Sequence, residues 1–422
     1  MVASLPAQFS ELSVRLLFVL ALLCSSHSVA AELDHQPLEK NNHLTYVDVF
    51  ASALDSAPEA LSSSSRQQQA QEYGRLGESF YAGRPQLQTS ILDDSPLTGV
   101  GLIELETRLN FMLWRPGERR QARELGSNYE KLYSAWQQNL ELEVAGRVRN
   151  ALADLHLAES TLALENEALA AAEDLLDLTT ALFESGAVSQ LDVLQARSLV
   201  LEQQNLVYES EAFLVDAERE YTIHTGLTVR PASDYAENQN ELEEITQAHP
   251  LLQFLQANID VADSQVQNIR RRAAGSPVVG VGLRRERDMS GQDYIDTLGV
   301  SLNIPLGKSP NMSTQVSDAR RQQADLLVAR QQAYIQLDQA LHEAEHQLFV
   351  TQQQLAVSTS QVELNQERVN MARSAYELGE TDFLQVALAL QQLQVARKDL
   401  QTLNLNMERL IMEYNQSLGV LP

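Results

Sequence analysis

FESGAVSQLDVLQA, residues 183–196, and YELGETDFLQVALA, residues 376–389, decide how this 422-residue chain is read, because they are one turn written twice. Gly186 and Gly379 stand 193 positions apart, and the same shift lays Phe183 on Tyr376, Leu191 on Leu384, Val193 on Val386, Ala196 on Ala389, Tyr221 on Tyr414 and Gly226 on Gly419. The register holds upstream as well, where LNFML at 109–113 falls on LNIPL at 302–306. One unit therefore runs from a strand-like segment through a long helix, over a glycine turn and down a second helix. Two copies with helices this long point to a pseudo-symmetric wall or tube rather than a solenoid of small repeats.

Working outward from the first turn, residues 116–183 hold no proline after Pro116, and apolar residues recur at spacings of three and four through Leu132, Trp136, Leu140, Val144, Val148, Leu152 and Leu155. That periodicity predicts one helix or two nearly collinear ones, a rod of about 100 Å at 1.5 Å per residue. Residues 309–376 repeat it, and helices over 189–225 and 382–418 follow the two turns. Alanine, glutamine and leucine dominate these segments, which suits side-by-side packing as in a coiled coil. Two shorter helices, over about 45–81 and 248–274, precede the strand regions. Arg115-Pro116-Gly117 reads as a strand-to-helix junction with proline in the first turn.

In the strand regions the period changes to two. Ile103, Leu105, Thr107, Leu109, Phe111 and Leu113 share one face and Glu104, Glu106, Arg108 and Asn110 the other, as in a strand with one apolar and one wet side. Its expected partner is 86–92, across a turn at 93–96, in a hairpin spanning 86–114. A second hairpin at 278–305 carries Val279, Val281 and Leu283 through the turn 287–291 to Tyr294, Leu298, Val300, Leu302 and Ile304. Thr297, Ser301 and Asn303 face the other way. Four strands cannot close a barrel by themselves, since the smallest in membranes use about eight; three copies would pool twelve. Periodicity alone equally allows a soluble α+β fold with two hairpins packed on helices.

Residues 12–23, LSVRLLFVLALL, are too few to span a bilayer and read with the small residues before Ala31 as a secretory signal over 1–31. Cys24 offers lipidation as an alternative, although Leu23 suits a lipoprotein peptidase poorly. Cleavage would remove the only cysteine, and with it disulfide, thiolate and cysteine-nucleophile chemistry. No later segment is apolar enough for a helical span, so any passage through lipid needs closed β-structure. A formal charge of −26 argues against nucleic acid as partner.

At this point the chain resembles the TolC-like outer membrane channel proteins, exit ducts of bacterial efflux and type I secretion systems. The likeness rests on the two aromatic-x-x-Gly turns, on the helix ends near 221–226 and 414–419, and on HPLLQFLQANIDVADSQVQNIRRRAAGSPVVGVGL at 249–283. It covers about residue 45 to the C-terminus. What it implies is a mainly α protein with β: a homotrimer with a twelve-stranded barrel in the outer membrane and a helical barrel through the periplasm. The first repeat would be 32–226, a linker or equatorial segment 227–247 and the second repeat 248–422. It further implies no enzyme activity and no cofactor, with a periplasmic membrane fusion protein as adaptor and an inner membrane RND or ABC transporter as pump. The adaptor would dock at the tips, on Gly186, Ala187, Val188 and Ser189 and on Gly379, Glu380, Thr381 and Asp382. By the same likeness Asp192 would bond Tyr376 and hold the aperture shut. The family's aspartates six and nine residues after the second glycine are Gln385 and Leu388 here, which puts an acidic ring at that level in doubt and leaves Glu380 and Asp382 as alternatives. Cargo cannot be read from these residues.

Two rival readings come from other classes. His342-Glu343-Ala344-Glu345-His346 matches the H-E-x-x-H helix pattern of zinc hydrolases, but a glutamine-rich rod offers no obvious third ligand or cleft. A soluble periplasmic coiled-coil adaptor would explain the helices and leave the alternating strands without a use.

Overall fold

The computed structural model describes residues 37–233, 235–307 and 310–422. The expected signal segment with Cys24, and Ser309 at the start of the expected second long helix, lie outside the described residues. Every element below belongs to the compact unit Glu39–Pro422.

A short strand β1 (Glu39–Asn41) leads to α1 (Tyr46–Ser56), which opens with a capping box between Thr45 and Asp48. The single helix expected over 45–81 is broken. Ala57 precedes a proline and is extended (φ −61°, ψ 128°), Pro58–Ser62 form a 3₁₀ turn, and α2 (Ser63–Leu76) resumes beyond it. Strands β2 (Gln86–Asp93) and β3 (Ile103–Met112) form the first hairpin. After Gly117, at φ +83°, α3 (Glu118–Glu184) runs 67 residues, and α4 (Gln190–Thr225) returns for 36.

The second repeat follows the same plan. Helix α5 (Pro250–Arg272), with proline in its first turn, leads to the hairpin of β5 (Val278–Arg287) and β6 (Ile295–Asn303). Helix α6 (Pro310–Glu377) runs 68 residues and α7 (Phe383–Ser417) returns for 35. Between the repeats, the stretch read as a linker also contains β4 (Val229–Pro231), which pairs in parallel with β1. Three-residue strands are too short to show a period of two, so sequence patterning missed this pair.

The two hairpins join into one antiparallel sheet of order β2-β3-β5-β6, the repeats meeting where β3 runs beside β5. Both outer strands have a partner on one side only among the described residues. Helix α3 is central, packing on α1, α2, α4, α5 and α7, whereas α6 packs along its length on α5 and α7 and meets α3 only near the turn, through Tyr376, among the described residues.

A buried clamp ties the middle of α3 to the linker and the C-terminus. Arg149, 1% exposed, grips both Glu237 oxygens (Nε at 2.6 Å, Nη2 at 3.0 Å), donates to Gln416 Oε1 at 2.6 Å and to the Val420 carbonyl at 3.0 Å. Asn415 and Tyr235 also donate to Glu237, and Tyr235 stacks on Tyr46. Burial would raise the Glu237 carboxyl, but the hydrogen bonds from Arg149, Asn415 and Tyr235 outweigh it and hold the group below the ordinary glutamate range.

Candidate functional site

Both turns solve the same problem alike. Gly186 and Gly379 sit at φ +79° and +73°, the left-handed conformation that closes a helix. In the first, Ala187 N donates to the Leu182 carbonyl at 2.9 Å; in the second, Glu380 N donates to Ala375 at 2.8 Å. No atom lies within 4 Å of where a Cβ would stand on either glycine, so backbone conformation and not crowding selects the residue.

The turns share one small core of Leu175, Ala196, Tyr376, Phe383, Val386 and Leu390, against which Val188 packs. The remaining expected docking residues Gly186, Ala187, Ser189, Gly379, Glu380 and Asp382 are exposed, and Thr381 is half-buried.

Tyr376 and Asp192 are each committed to other partners. The buried Tyr376 hydroxyl donates to Thr179 Oγ1 at 3.4 Å, while the Asp192 carboxylate accepts from Ser189 N and Oγ, both at 2.9 Å, in a capping box that opens α4. Burial raises the Tyr376 hydroxyl, the Thr179 bond opposes that, and the nearby Asp192 charge adds to it. The sequence reading passed over Thr179. Its signal was position, one turn after Leu175 on the same buried face of α3. Of the candidate constriction residues, Asp382 caps α7 through Gln385 N at 3.0 Å, and Glu380, Gln385 and Leu388 are exposed.

Away from the turns, two apolar stripes stay largely exposed among the described residues. On α4, Leu194, Leu201 and Tyr208 lie 8, 15 and 22 residues from Gly186; on α6, Met371, Leu364 and Val357 lie 8, 15 and 22 residues from Gly379. All six are more than half exposed. Spacing by sevens is the seam of a coiled coil. Because the turns share a core, the two stripes stand at matching levels.

The sheet is inside-out by the standard of a soluble protein. Leu87, Ile91, Leu105, Leu283, Leu298 and Val300 are exposed on one face. On the other face Glu104, Glu106, Arg108, Arg284 and Glu286 are half-covered and pair with one another, Arg284 reaching Glu104 at 2.9 Å. Gly280 and Gly282 oppose Asn110 and Arg108 there, and a Cβ on either would strike these residues. At the end far from the helices the apolar face closes with an Arg285–Asp296 ion pair at 2.7 Å and Tyr294, over which Arg285 and Arg287 lie. An apolar outer band ended by aromatic and charged residues, over a polar interior, is how strands meet lipid. None of the described helices is long and apolar enough to cross a membrane.

The H-E-x-x-H motif lies on α6, with Glu343 accepting from Gln347 Nε2 at 2.8 Å. Among the described residues no three His, Cys, Asp or Glu side chains converge as a metal site would require.

The model of the outer membrane efflux protein family matches residues 106–220, which covers most of β3, all of α3 and most of α4. No curated protein sequence matches the chain significantly. Among solved structures, the outer membrane protein VceC from Vibrio cholerae superposes with a TM-score of 0.73 at 13% identity, over 88% of this chain and 95% of that one. CusC, a protein described as forming a transmembrane channel, gives 0.72 at 16% over 88% and 91%. The open state of the MtrE outer membrane channel from Neisseria gonorrhoeae gives 0.66 at 14% over 88% of each chain. At these identities the likeness is one of fold. The family model thus matches the core of the first repeat, and the fold of outer membrane channels extends over most of the chain's length.

Proposed function

We propose that this protein is the outer membrane exit duct of a tripartite efflux system. Three copies pool their four strands into a twelve-stranded barrel and their long helices into a periplasmic tube. The observation that carries this reading is the inverted sheet: an apolar face turned outward on strands whose two edges lack partners. Open edges in lipid would leave several backbone groups unsatisfied, at several kcal/mol each. Closure with sister copies removes that cost. In this reading the protein is a conduit rather than an enzyme, and solute movement is driven by a partner pump. A soluble adaptor has no use for such a sheet.

In this reading the paired turns form the periplasmic tip and receive the adaptor, and the stripe on α4 of one copy meets the stripe on α6 of the next. Opening swings the α6–α7 turn away from α3 and breaks the Tyr376–Thr179 contact, with Asp192 as the neighbouring charge. Glu380 and Asp382, with Gln385 and Leu388 above them, line the narrowest level. Outlet duty in a type I secretion system would use the same geometry.

The test is reconstitution in planar bilayers. Wild-type protein should extract only with detergent, run as a trimer and conduct weakly; Asp192→Ala with Tyr376→Phe should raise single-channel conductance several-fold. Unchanged conductance in the double variant removes the gating assignment, and a monomer freely soluble in buffer removes the duct.

A further inference from the structure

Halfway along the helices, where the first turn of α5 meets the last turns of α7, α3 and α6 stand apart and leave a cavity of about 580 Å³. That is the volume of a site for a drug-sized molecule. Its walls are largely apolar, built from Leu142, Leu251, Leu337 and Leu410, and three carboxylates reach it: Glu143 from α3, Glu343 from α6 and Glu413 from α7.

No lysine or arginine among the described residues lines it. The nearest cations are engaged elsewhere, Arg409 with Asp154 and Arg149 with Glu237. Asn139 donates to Glu143 at 2.6 Å and Gln347 to Glu343, so two of the acids have only neutral partners. All three acids are exposed residues, and partial burial raises the Glu413 carboxyl despite the pull of Arg409. His249, 2% exposed, lines the same cavity. Its Nδ1 accepts from Leu251 N at 3.2 Å, which leaves the proton on Nε2, directed at the backbone of Gln416 and Ser417 without a well-formed hydrogen bond.

We propose that this cavity binds an amphipathic organic cation, its hydrophobic body against the leucines and its positive centre among Glu143, Glu343 and Glu413. A metal ion is the poorer fit, since no three donors converge on a point among the described residues. The site lies within one subunit, so it stands or falls independently of how copies associate. A passive conduit needs no such station; its presence would give the duct a preference for cationic cargo.

The experiment titrates the cationic dye rhodamine 6G into the full-length protein in detergent, followed by fluorescence anisotropy. Saturable binding of one dye per chain is expected. Glu343→Gln with Glu413→Gln should weaken it about tenfold or more, because contacts to charged groups are stronger than those to neutral ones. Ala340→Phe, which fills the cavity and keeps every charge, should abolish it, and an uncharged dye of similar size should not compete. Non-saturable binding, equal affinity in the double-glutamine variant, or full binding to Ala340→Phe would each overturn the proposal. So would binding confined to monomers, because a neighbouring copy would then be the cavity's occupant.

Discussion

Helices α3 and α6 hold the same place in the two repeats and differ by one residue in length, yet the subunit treats them differently. Helix α3 is walled in by five other helices, and Leu125, Val144, Val148, Leu152 and Leu155 are all buried. Helix α6 packs along its length on two, and its buried apolar positions are small or scattered: Ala319, Ala333, Leu341, Ala344 and Leu348, with Tyr376 reaching α3 at the turn. Val328, Ile335, Phe349, Val357, Leu364 and Met371 stay exposed, mostly at steps of seven. Duplication produced two equal rods, and packing made one the centre of the subunit and the other its edge. An edge that keeps a heptad stripe has its partner outside the subunit.

The largest effect should come from placing a charge in that stripe. Leu364→Glu should abolish the trimer on sizing in detergent and leave the helical content of the subunit intact, since Leu364 is 67% exposed. The matched levels sharpen the claim. Leu201→Cys with Leu364→Cys should crosslink neighbouring copies under oxidation, whereas Leu201→Cys with Leu337→Cys should not, because Leu337 lies 42 residues from Gly379 and not 15. Crosslinking in both pairs would show that the stripes do not set the register.

How much of this was legible in the sequence depends on the range of the interaction. The long helices, both glycine turns and the four-strand sheet were legible because each is written in a local period, 3.6 or 2, and then repeated 193 residues on. The direction of the sheet's apolar face was not, since alternation reports two faces without saying which meets solvent. The break at Pro58 was readable, since a proline holds the residue before it extended, and the expectation of one helix over 45–81 passed over it. Arg149 gave no sequence signal at all: its partners Glu237, Gln416 and Val420 come from 88 to 271 residues away. The tip contact shows the same limit. The family likeness pointed to Asp192 and Tyr376, and the subunit's own packing engages them with Ser189 and Thr179, residues chosen by helix phase.

The second effect in size tests the central role of α3. Arg149→Met leaves the Glu237 carboxylate buried without its cation and should cost about 3–5 kcal/mol in subunit unfolding; Glu237→Gln should cost less. Acid adds a further check. The Glu237 pKa is lowered on folding, so its contribution is fully present above the unfolded value and is lost as pH falls through the lower folded value. Stability should therefore drop more steeply below about pH 4.5 in wild type than in Glu237→Gln. Parallel pH curves would mean that the clamp does not depend on the charge.

The smallest effect is the most discriminating between the two rods. In the monomeric Leu364→Glu background, Leu155→Ala on α3 and Phe349→Ala on α6 remove large apolar side chains from equivalent kinds of helix. Leu155 is buried, so its truncation should cost about 2–5 kcal/mol. Phe349 is 64% exposed, so its loss should stay within about 0.5 kcal/mol, as at other surface sites. Denaturant unfolding of the two variants reads both. A comparable penalty at Phe349 would mean that α6 is covered within its own subunit, and the partner assigned to its stripe would have to be intramolecular. A negligible penalty in the monomer, joined to a weakened trimer when Phe349→Ala is made in wild type, places that ring at the interface between copies.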